Sequence, residues 1–219
     1  MAGMRKGMIA TGWSIAALAA GLCVLVGCAA NSTPEPETAT SSAAPAAIAS
    51  PPAAAVTVSL VSHTELLERI AAHRGKLVVL DCWSTSCPPC VKEFPGLVRM
   101  ARDYGDQVAC LSLSFDYEGF GTPDEVLPPV QEFLNQVEAG AIENLLGRED
   151  SDTLYEKLEL TSVPAIYVYG RDGKLLRRFD DDYAARELDR PFTYADVRQL
   201  VDETLGSGPV TTGPEQEGS

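Results

Sequence analysis

Cys87 and Cys90, separated by two prolines, are the residues of this sequence best suited to carry chemistry. They follow an apolar run and stand at the predicted start of a helix. Unpaired N–H groups and the positive end of the helix dipole favour a thiolate there. A cysteine so placed has a depressed pKa, and the short spacing lets the two sulfurs join. We therefore predict thiol-disulfide exchange, with Cys87 as nucleophile and Cys90 as resolving thiol.

Other cysteine chemistry fits this pair poorly. A single CxxC pair without a second Cys or His pair makes a poor zinc site, and Val91 after Cys90 excludes the haem-attachment pattern. The acidic run at residues 180–182 lacks the ligand spacing of a calcium loop and predicts a solvated turn. We expect no metal and no cofactor apart from the redox-active disulfide between Cys87 and Cys90.

Two further cysteines, Cys82 and Cys110, fall on predicted buried strands. A free cysteine in such a place behaves as a small apolar side chain. The alternative is a second disulfide, which needs a strict geometry. We interpret both as inert core residues, and we assign the two histidines, His63 and His73, to the surface.

The N-terminal residues are typical of a secretory signal. Arg5 and Lys6 precede an uncharged segment at 8–26, and residues 25–28, Leu-Val-Gly-Cys, resemble the bacterial lipobox. This predicts a signal peptide over 1–27 and a lipid on Cys28. A transmembrane anchor or an ordinary signal peptide are the alternatives. Each of these places the body of the protein outside the cytoplasm, on the periplasmic side of a bacterial membrane.

Composition divides the remaining chain. Residues 28–55 are rich in Ala, Pro, Ser and Thr and predict a disordered tether, and residues 206–219 predict a disordered tail. The 219 residues suit one domain, over 56–205, plus these extensions. The formal net charge of -14 argues against nucleic acid as a partner, because phosphate binding depends on Lys and Arg.

The elements that must position the cysteines follow from hydrophobic periodicity. We predict strands over 56–60, 77–82 and 107–114, and a hairpin of 165–169 with 174–179 around the Asp-Gly turn. Helices are predicted from a Ser62 cap to 73, over 91–104 with a kink at Pro95, over 126–137, over 151–158 with Ser151 or Asp152 as cap, and from a Thr193 cap to 205. Only a short segment is expected near 141–145. The pattern indicates an α/β domain.

Several segments resemble the thioredoxin superfamily, and most closely its membrane-anchored extracytoplasmic TlpA-type branch. They are residues 81–90 (DCWSTSCPPC) with 92–95 (KEFP), residues 162–168 (SVPAIYV) and residues 171–174 (RDGK). The resemblance covers about 56–205. It implies a thioredoxin-like α/β fold with a central mixed β-sheet flanked by helices.

The resemblance also implies roles for matching residues. Asp81 takes the place of the buried carboxylate that exchanges a proton with the resolving thiol. Pro164 takes the place of a cis-proline that faces the cysteines. Substrate contacts are implied for a further set, namely Trp83, Pro88, Pro89, Val163 and Pro164. For Trp83 the alternative is a core residue, as a Trp near a strand end often is. For Asp81 the alternative is an ordinary strand-end carboxylate in water, but its apolar surroundings favour the functional interpretation.

Two departures from the family bear on the substrate and on the direction of electron flow. Ser86 stands where the family commonly has an aromatic residue, and its smaller, more polar side chain leaves the substrate preference open. The dipeptide Pro88-Pro89 lacks the His of strongly oxidising relatives. We therefore expect a reductase of extracytoplasmic protein disulfides, re-reduced by a membrane electron donor, with the haem-binding cysteines of apocytochrome c as one implied substrate. The alternatives are an oxidase or isomerase with the same residues, and a lipid-anchored binding or copper-delivery module without turnover.

Overall fold

The computed structural model describes residues 55–206. The predicted signal peptide, the lipidated Cys28 and nearly all of the tether and tail lie outside these residues. Within 55–206, no helix is both long enough and apolar enough to cross a bilayer.

One six-stranded mixed sheet forms the centre of the domain, with strands in the order β1-β4-β3-β2-β5-β6. The first four strands in this order run parallel, while β5 is antiparallel to both β2 and β6. The strands are β1 Val58–Val61, β2 Leu77–Trp83, β3 Val108–Ser114, β4 Glu143–Gly147, β5 Ala165–Tyr169 and β6 Leu175–Phe179. Parallel strands joined by helical crossovers place helices on both faces of the sheet.

In the part of the chain that the structure describes, seven α-helices flank this sheet and bury an apolar core on each face. They are α1 His63–Ala72, α2 Pro88–Glu93, α3 Pro95–Tyr104, α4 Pro123–Gln136, α5 Ser151–Lys157, α6 Asp181–Tyr183 and α7 Tyr194–Gly206. One core contains side chains of α2, α3, α4 and α7, and the other contains side chains of α1 and α5. The result is the thioredoxin-like α/β fold that the sequence predicts.

Strand β2 lies in the middle of the sheet, and its side chains alternate between the two cores. Leu77, Val79 and Trp83 pack in the core that also contains Cys90. The alternate side chains of the strand pack on the opposite face, namely Val78, Leu80 and Cys82. Alternation with period two is inherent in a strand. It also places Asp81, which shares the parity of Val79 and Trp83, on the face of the sheet where Cys90 lies.

Local signals predicted several boundaries correctly. Ser62 caps α1 in a capping box with Glu65, and the backbone N–H of Thr193 donates to Asp196 at the start of α7. The hairpin of β5 and β6 is confirmed. These features depend on residues a few positions apart, so periodicity and capping chemistry suffice to find them.

The interruption predicted at Pro95 is confirmed, and it separates α2 from α3, because a proline within a helix removes a backbone donor. Other boundaries differ. Helix α4 begins earlier than predicted, at Pro123, where Thr122 and Glu125 form a capping box. Asp150, rather than Ser151 or Asp152, caps α5.

The largest difference in the sheet is β4, for which only a short segment was expected. It is a sixth strand in addition to the five that were predicted, and it pairs in parallel with both β1 and β3. The segment is short, and it carries a buried polar residue, Asn144, whose side-chain oxygen accepts from the Ser112 hydroxyl at 3.0 Å. That polar position obscures the apolar run by which a central strand is recognised.

The predicted solvated turn at 180–182 is wrong for its first residue. Asp180 is buried, caps α6 by accepting from the Tyr183 backbone N–H, and forms an ion pair with Arg178. Its carboxylate therefore satisfies a helix terminus instead of facing water.

Gly96, in the first turn of α3, permits a close approach between two helices. A Cβ atom at this position would overlap the ring of Tyr194 at the start of α7. We expect Gly96→Ala to lower the free energy of unfolding by about 2 kcal/mol, because overpacking outweighs the gain in helix propensity. Urea denaturation measures this. Gly206→Ala is the matched control, since nothing lies near a Cβ there, and equal stability of the two variants would contradict the prediction.

Candidate active site

Cys87 and Cys90 form a disulfide at the start of α2. Cys87 is the N-cap residue, and its sulfur accepts from the backbone N–H of Cys90 at 3.3 Å. Cys87 is partly exposed, whereas Cys90 is only 2% exposed. Once the disulfide opens, the Cys90 N–H group and the positive end of the helix dipole stabilise negative charge on the Cys87 sulfur. The exposed sulfur is thus suited to attack and the buried one to resolve.

The segment before β5 lies against the exposed sulfur. The Val163-Pro164 peptide bond is cis, and the carbonyl oxygen of Val163 lies 3.5 Å from Cys87 Sγ. Both Val163 and Pro164 are partly exposed. An extended polypeptide could therefore lie along this segment and reach the disulfide.

A cleft of about 350 Å³ opens beside the disulfide. Pro89 and Pro164 line it together with Phe192, and Lys92 and Asp181 contribute charged groups. Pro88, also exposed, stands at the first position of α2. The structure thus brings four of the five residues that the resemblance implied for substrate contacts to one surface.

Trp83 is the exception and corrects that set. Its side chain is fully buried and packs on Phe94 and Phe133, with ring centroids 4.8 Å apart in both pairs. A residue without exposed surface presents nothing to a substrate. Trp83 therefore belongs to the core beneath the cysteines.

Asp81 is buried, with 3% of its surface exposed, in the core that also contains Cys90. The Tyr194 hydroxyl donates a hydrogen bond to its Oδ2, and Oδ1 has no hydrogen-bond partner among the described residues. Burial raises the pKa of Asp81, and the hydrogen bond from Tyr194 offsets part of this rise, so that the pKa is about 7. A carboxyl with this pKa can accept and return a proton near neutral pH. The alternative of a solvated strand-end carboxylate is excluded.

The two other cysteines within residues 55–206 are inert core residues, as predicted. Cys82 and Cys110 are free and buried. Burial raises the pKa of Cys110 to about 12 and that of Cys82 well above its ordinary value. Both stay protonated at neutral pH, and the thiolate is the reactive form.

Neither histidine reaches the cysteines as a metal-site partner. His63 and His73 are partly exposed, and His73 Nε2 contacts the Glu143 carboxylate at 2.9 Å. Over residues 55–206, no three His, Cys, Asp or Glu side chains are grouped to hold a metal ion.

Two polar residues of the site were missed in the sequence. Tyr194 was assigned only to the closing helix, and no local signal connects it to Asp81. Asp116 accepts from the Thr85 backbone N–H at 3.0 Å and from the Ser84 hydroxyl at 3.2 Å. It thereby holds the loop that leads into Cys87. Asp116 follows β3, and the loop follows β2, which is the parallel neighbour of β3. Both segments therefore lie at the same edge of the sheet, and this placement could have predicted their contact from the sequence.

Comparison with known proteins finds limited similarity. No family model matches the chain. A 42-residue segment is 36% identical to thioredoxin-like protein YneN of Bacillus subtilis, and it makes up 19% of this chain and 25% of that protein.

Some solved structures resemble this chain in structure at low sequence identity. A thioredoxin-family thiol:disulfide interchange protein of Chlorobium tepidum is 19% identical with a TM-score of 0.46, covering 62% of this chain and 84% of that one. A secreted disulfide oxidoreductase of Mycobacterium tuberculosis is 18% identical with a TM-score of 0.46, covering 61% and 85%. The function is therefore inferred from the geometry of the site itself.

Proposed function

We propose that the protein is a thiol-disulfide oxidoreductase that reduces disulfides of extracytoplasmic proteins. The observation that carries the proposal is the pairing of a partly exposed Cys87 with a buried Cys90 at a helix start, beside the exposed Val163-Pro164 segment. Such a pair can form a mixed disulfide with a substrate and then release it.

The first step begins from the reduced pair. The Cys87 thiolate attacks one sulfur of a substrate disulfide, the substrate S–S bond breaks, and the other substrate sulfur leaves as a thiolate. In the second step the carboxylate of Asp81 accepts the proton of Cys90. The Cys90 thiolate attacks the Cys87 sulfur, the bond to the substrate breaks, and the Cys87–Cys90 disulfide forms. Two electrons pass from the protein to the substrate.

The direction rests on the residues between the cysteines. Pro88 and Pro89 supply no imidazolium to stabilise the Cys87 thiolate, and such stabilisation is what makes a dithiol pair strongly oxidising. We propose that a membrane electron donor re-reduces the disulfide, and that the haem-binding cysteines of apocytochrome c are among the substrates. The signal-like N-terminus and Cys28 support an extracytoplasmic, lipid-anchored location.

Reduction of insulin disulfides by the full chain tests the activity. We expect activity in the presence of dithiothreitol, and we expect it to be lost after the reduced protein is alkylated with N-ethylmaleimide and the reagent is removed. The matched control is the oxidised protein treated in the same way and then reduced. Its Cys87 and Cys90 are protected as a disulfide while other accessible cysteines react, so its activity should survive. Equal activity of the two samples would refute the proposal.

The reduction potential tests the direction. A value between about -200 and -270 mV, the range of glutaredoxins and thioredoxin, supports a reductase. A value near about -120 mV, that of a strongly oxidising periplasmic enzyme, would instead identify an oxidase. Equilibration with glutathione buffers of known ratio gives the number.

A further inference from the structure

We infer that Tyr194 is a positioning residue of the exchange reaction, whose hydroxyl holds Oδ2 of Asp81 and leaves Oδ1 to accept the proton of Cys90. This inference rests on the proposed function and adds to it a residue outside every segment of the CxxC and cis-proline motifs. The contact between Tyr194 and Asp81 joins α7 to the central strand β2.

Packing holds the Tyr194 ring in one place. The residue is 6% exposed and lies in the core that contains Cys90. Its ring occupies the gap left by Gly96 in α3, the helix that directly follows the one carrying Cys90. A ring confined in this way directs its hydroxyl to Asp81 without a loss of side-chain freedom during the reaction.

The backbone of Tyr194 is also fixed, because it follows the cap of α7. The Thr193 backbone N–H donates to Asp196 Oδ2 at 2.9 Å. Arg190 forms an ion pair with the same carboxylate at 2.6 Å, and this lowers the pKa of Asp196 to about 2. The helix start that carries Tyr194 therefore keeps its charged partners at all pH values where exchange would run.

The unpartnered oxygen of Asp81 is the second observation. Buried polar atoms are nearly always hydrogen-bonded, and an orphaned one calls for an explanation. Asp81 Oδ1 is buried and without a partner among the described residues, while Oδ2 is bound by Tyr194. Because Oδ2 already accepts from the Tyr194 hydroxyl, Oδ1 is the oxygen better placed to take up a proton.

Near pH 7 Asp81 titrates, whereas the titratable groups that face it do not. Tyr194 approaches from α7, Cys82 adjoins it on β2, and Cys110 lies on β3. Burial raises the pKa of Tyr194 and of Cys82 well above their ordinary values and that of Cys110 to about 12. All three stay neutral near pH 7. A change at the Tyr194 hydroxyl must therefore act on the proton affinity of Asp81 itself.

Tyr194→Phe tests the inference, because it keeps the ring against Gly96 and removes only the hydroxyl. Loss of a hydrogen bond to the carboxylate is expected to move the pH midpoint for resolution upward by about one unit or more. Below that midpoint the resolution rate should fall about tenfold. The measurement is oxidation of the reduced full chain by a peptide disulfide, at concentrations where the rate no longer rises, followed by tryptophan fluorescence across pH 5–9.

Tyr104→Phe is the matched control. The Tyr104 hydroxyl donates to Asp202 of α7 at 2.6 Å, but on the exposed surface. Its loss also removes a Tyr–Asp hydrogen bond that involves α7, and it leaves Asp81 untouched. We expect an unchanged midpoint in this variant, and an equal shift in both variants would overturn the inference.

Asp81→Asn separates this inference from the proposed function. If the resolution rate of Asp81→Asn still rises with pH as in the native chain, the acid-base role of Asp81 fails, and with it the proposed second step. If this pH dependence is lost in Asp81→Asn but Tyr194→Phe keeps the native midpoint, only the role of Tyr194 is overturned. Replacement of Tyr194 by 3-fluorotyrosine, a stronger donor, serves if Tyr194→Phe does not fold, and it should move the midpoint downward. An unmoved or raised midpoint contradicts the inference.

Discussion

Cys87→Ser is expected to abolish insulin reduction, lowering the rate to that of the buffer alone. A serine hydroxyl stays protonated at pH 7 and cannot form the mixed disulfide through which exchange proceeds. The side chain keeps its size at the start of α2, so the domain should remain folded. Insulin turbidity with circular dichroism on the same sample measures both quantities.

Cys90→Ser is expected to give a different result, because Cys87 can still attack. Without a resolving thiol the reaction stops at the mixed disulfide, and most of the reduced variant should become covalently linked to a peptide or protein disulfide. A nonreducing gel shows the adduct, and dithiothreitol should reduce its mixed disulfide and release the two partners. Cys110→Ala, which removes a buried thiol outside the site, should react as the native chain does. Adducts of equal yield in Cys87→Ser and Cys90→Ser would contradict the assigned order of attack.

The stability of the oxidised domain is expected to fall as the pH rises from about 4 to about 7. Asp81 has a pKa of about 7 in the folded state against an ordinary value of 3.8. Between these values the native state holds a proton that the unfolded chain has lost, so the native state binds more protons and stability decreases with pH. The decrease is complete above pH 7 and amounts to about 4 kcal/mol at most, from the cost of each unit between the two pKa values.

Asp81→Asn isolates this contribution. An amide does not ionise, so the variant lacks the cost of charging a buried carboxyl. We expect its free energy of unfolding to exceed that of the native chain by several kcal/mol more at pH 8 than at pH 4. Urea unfolding at intervals of pH gives the difference. Asp106→Asn is the control, since the Asp106 side chain is fully exposed, and a constant difference between Asp81→Asn and the native chain would contradict the assignment.

The cysteine pair illustrates what local pattern can predict. Its helix start follows from an apolar strand, a proline pair and a helical periodicity, all within about twenty residues. The inert state of Cys82 and Cys110 was predicted by the same means, because their strands are apolar on both sides. By contrast, β4 was missed although it lies between β1 and β3. Its buried Asn144 interrupts the apolar pattern, and its partners, Ser112 on the neighbouring strand and the carbonyls of Ala139 and Ile142, are known only from the structure.

The sequence by itself determined the α/β class, the disulfide pair and the place of Asp81 on a buried strand, because each depends on residues close together in the chain. The tertiary structure alone decided which side chains complete the site. Tyr194 is 113 residues from Asp81 in the chain, yet it supplies the hydrogen bond to the carboxyl. Trp83 was predicted to contact the substrate, but in the structure it lies in the core and packs on Phe94 and Phe133. Contacts between distant elements depend on how helices seat on the sheet, and one-dimensional periodicity holds no information about that seating.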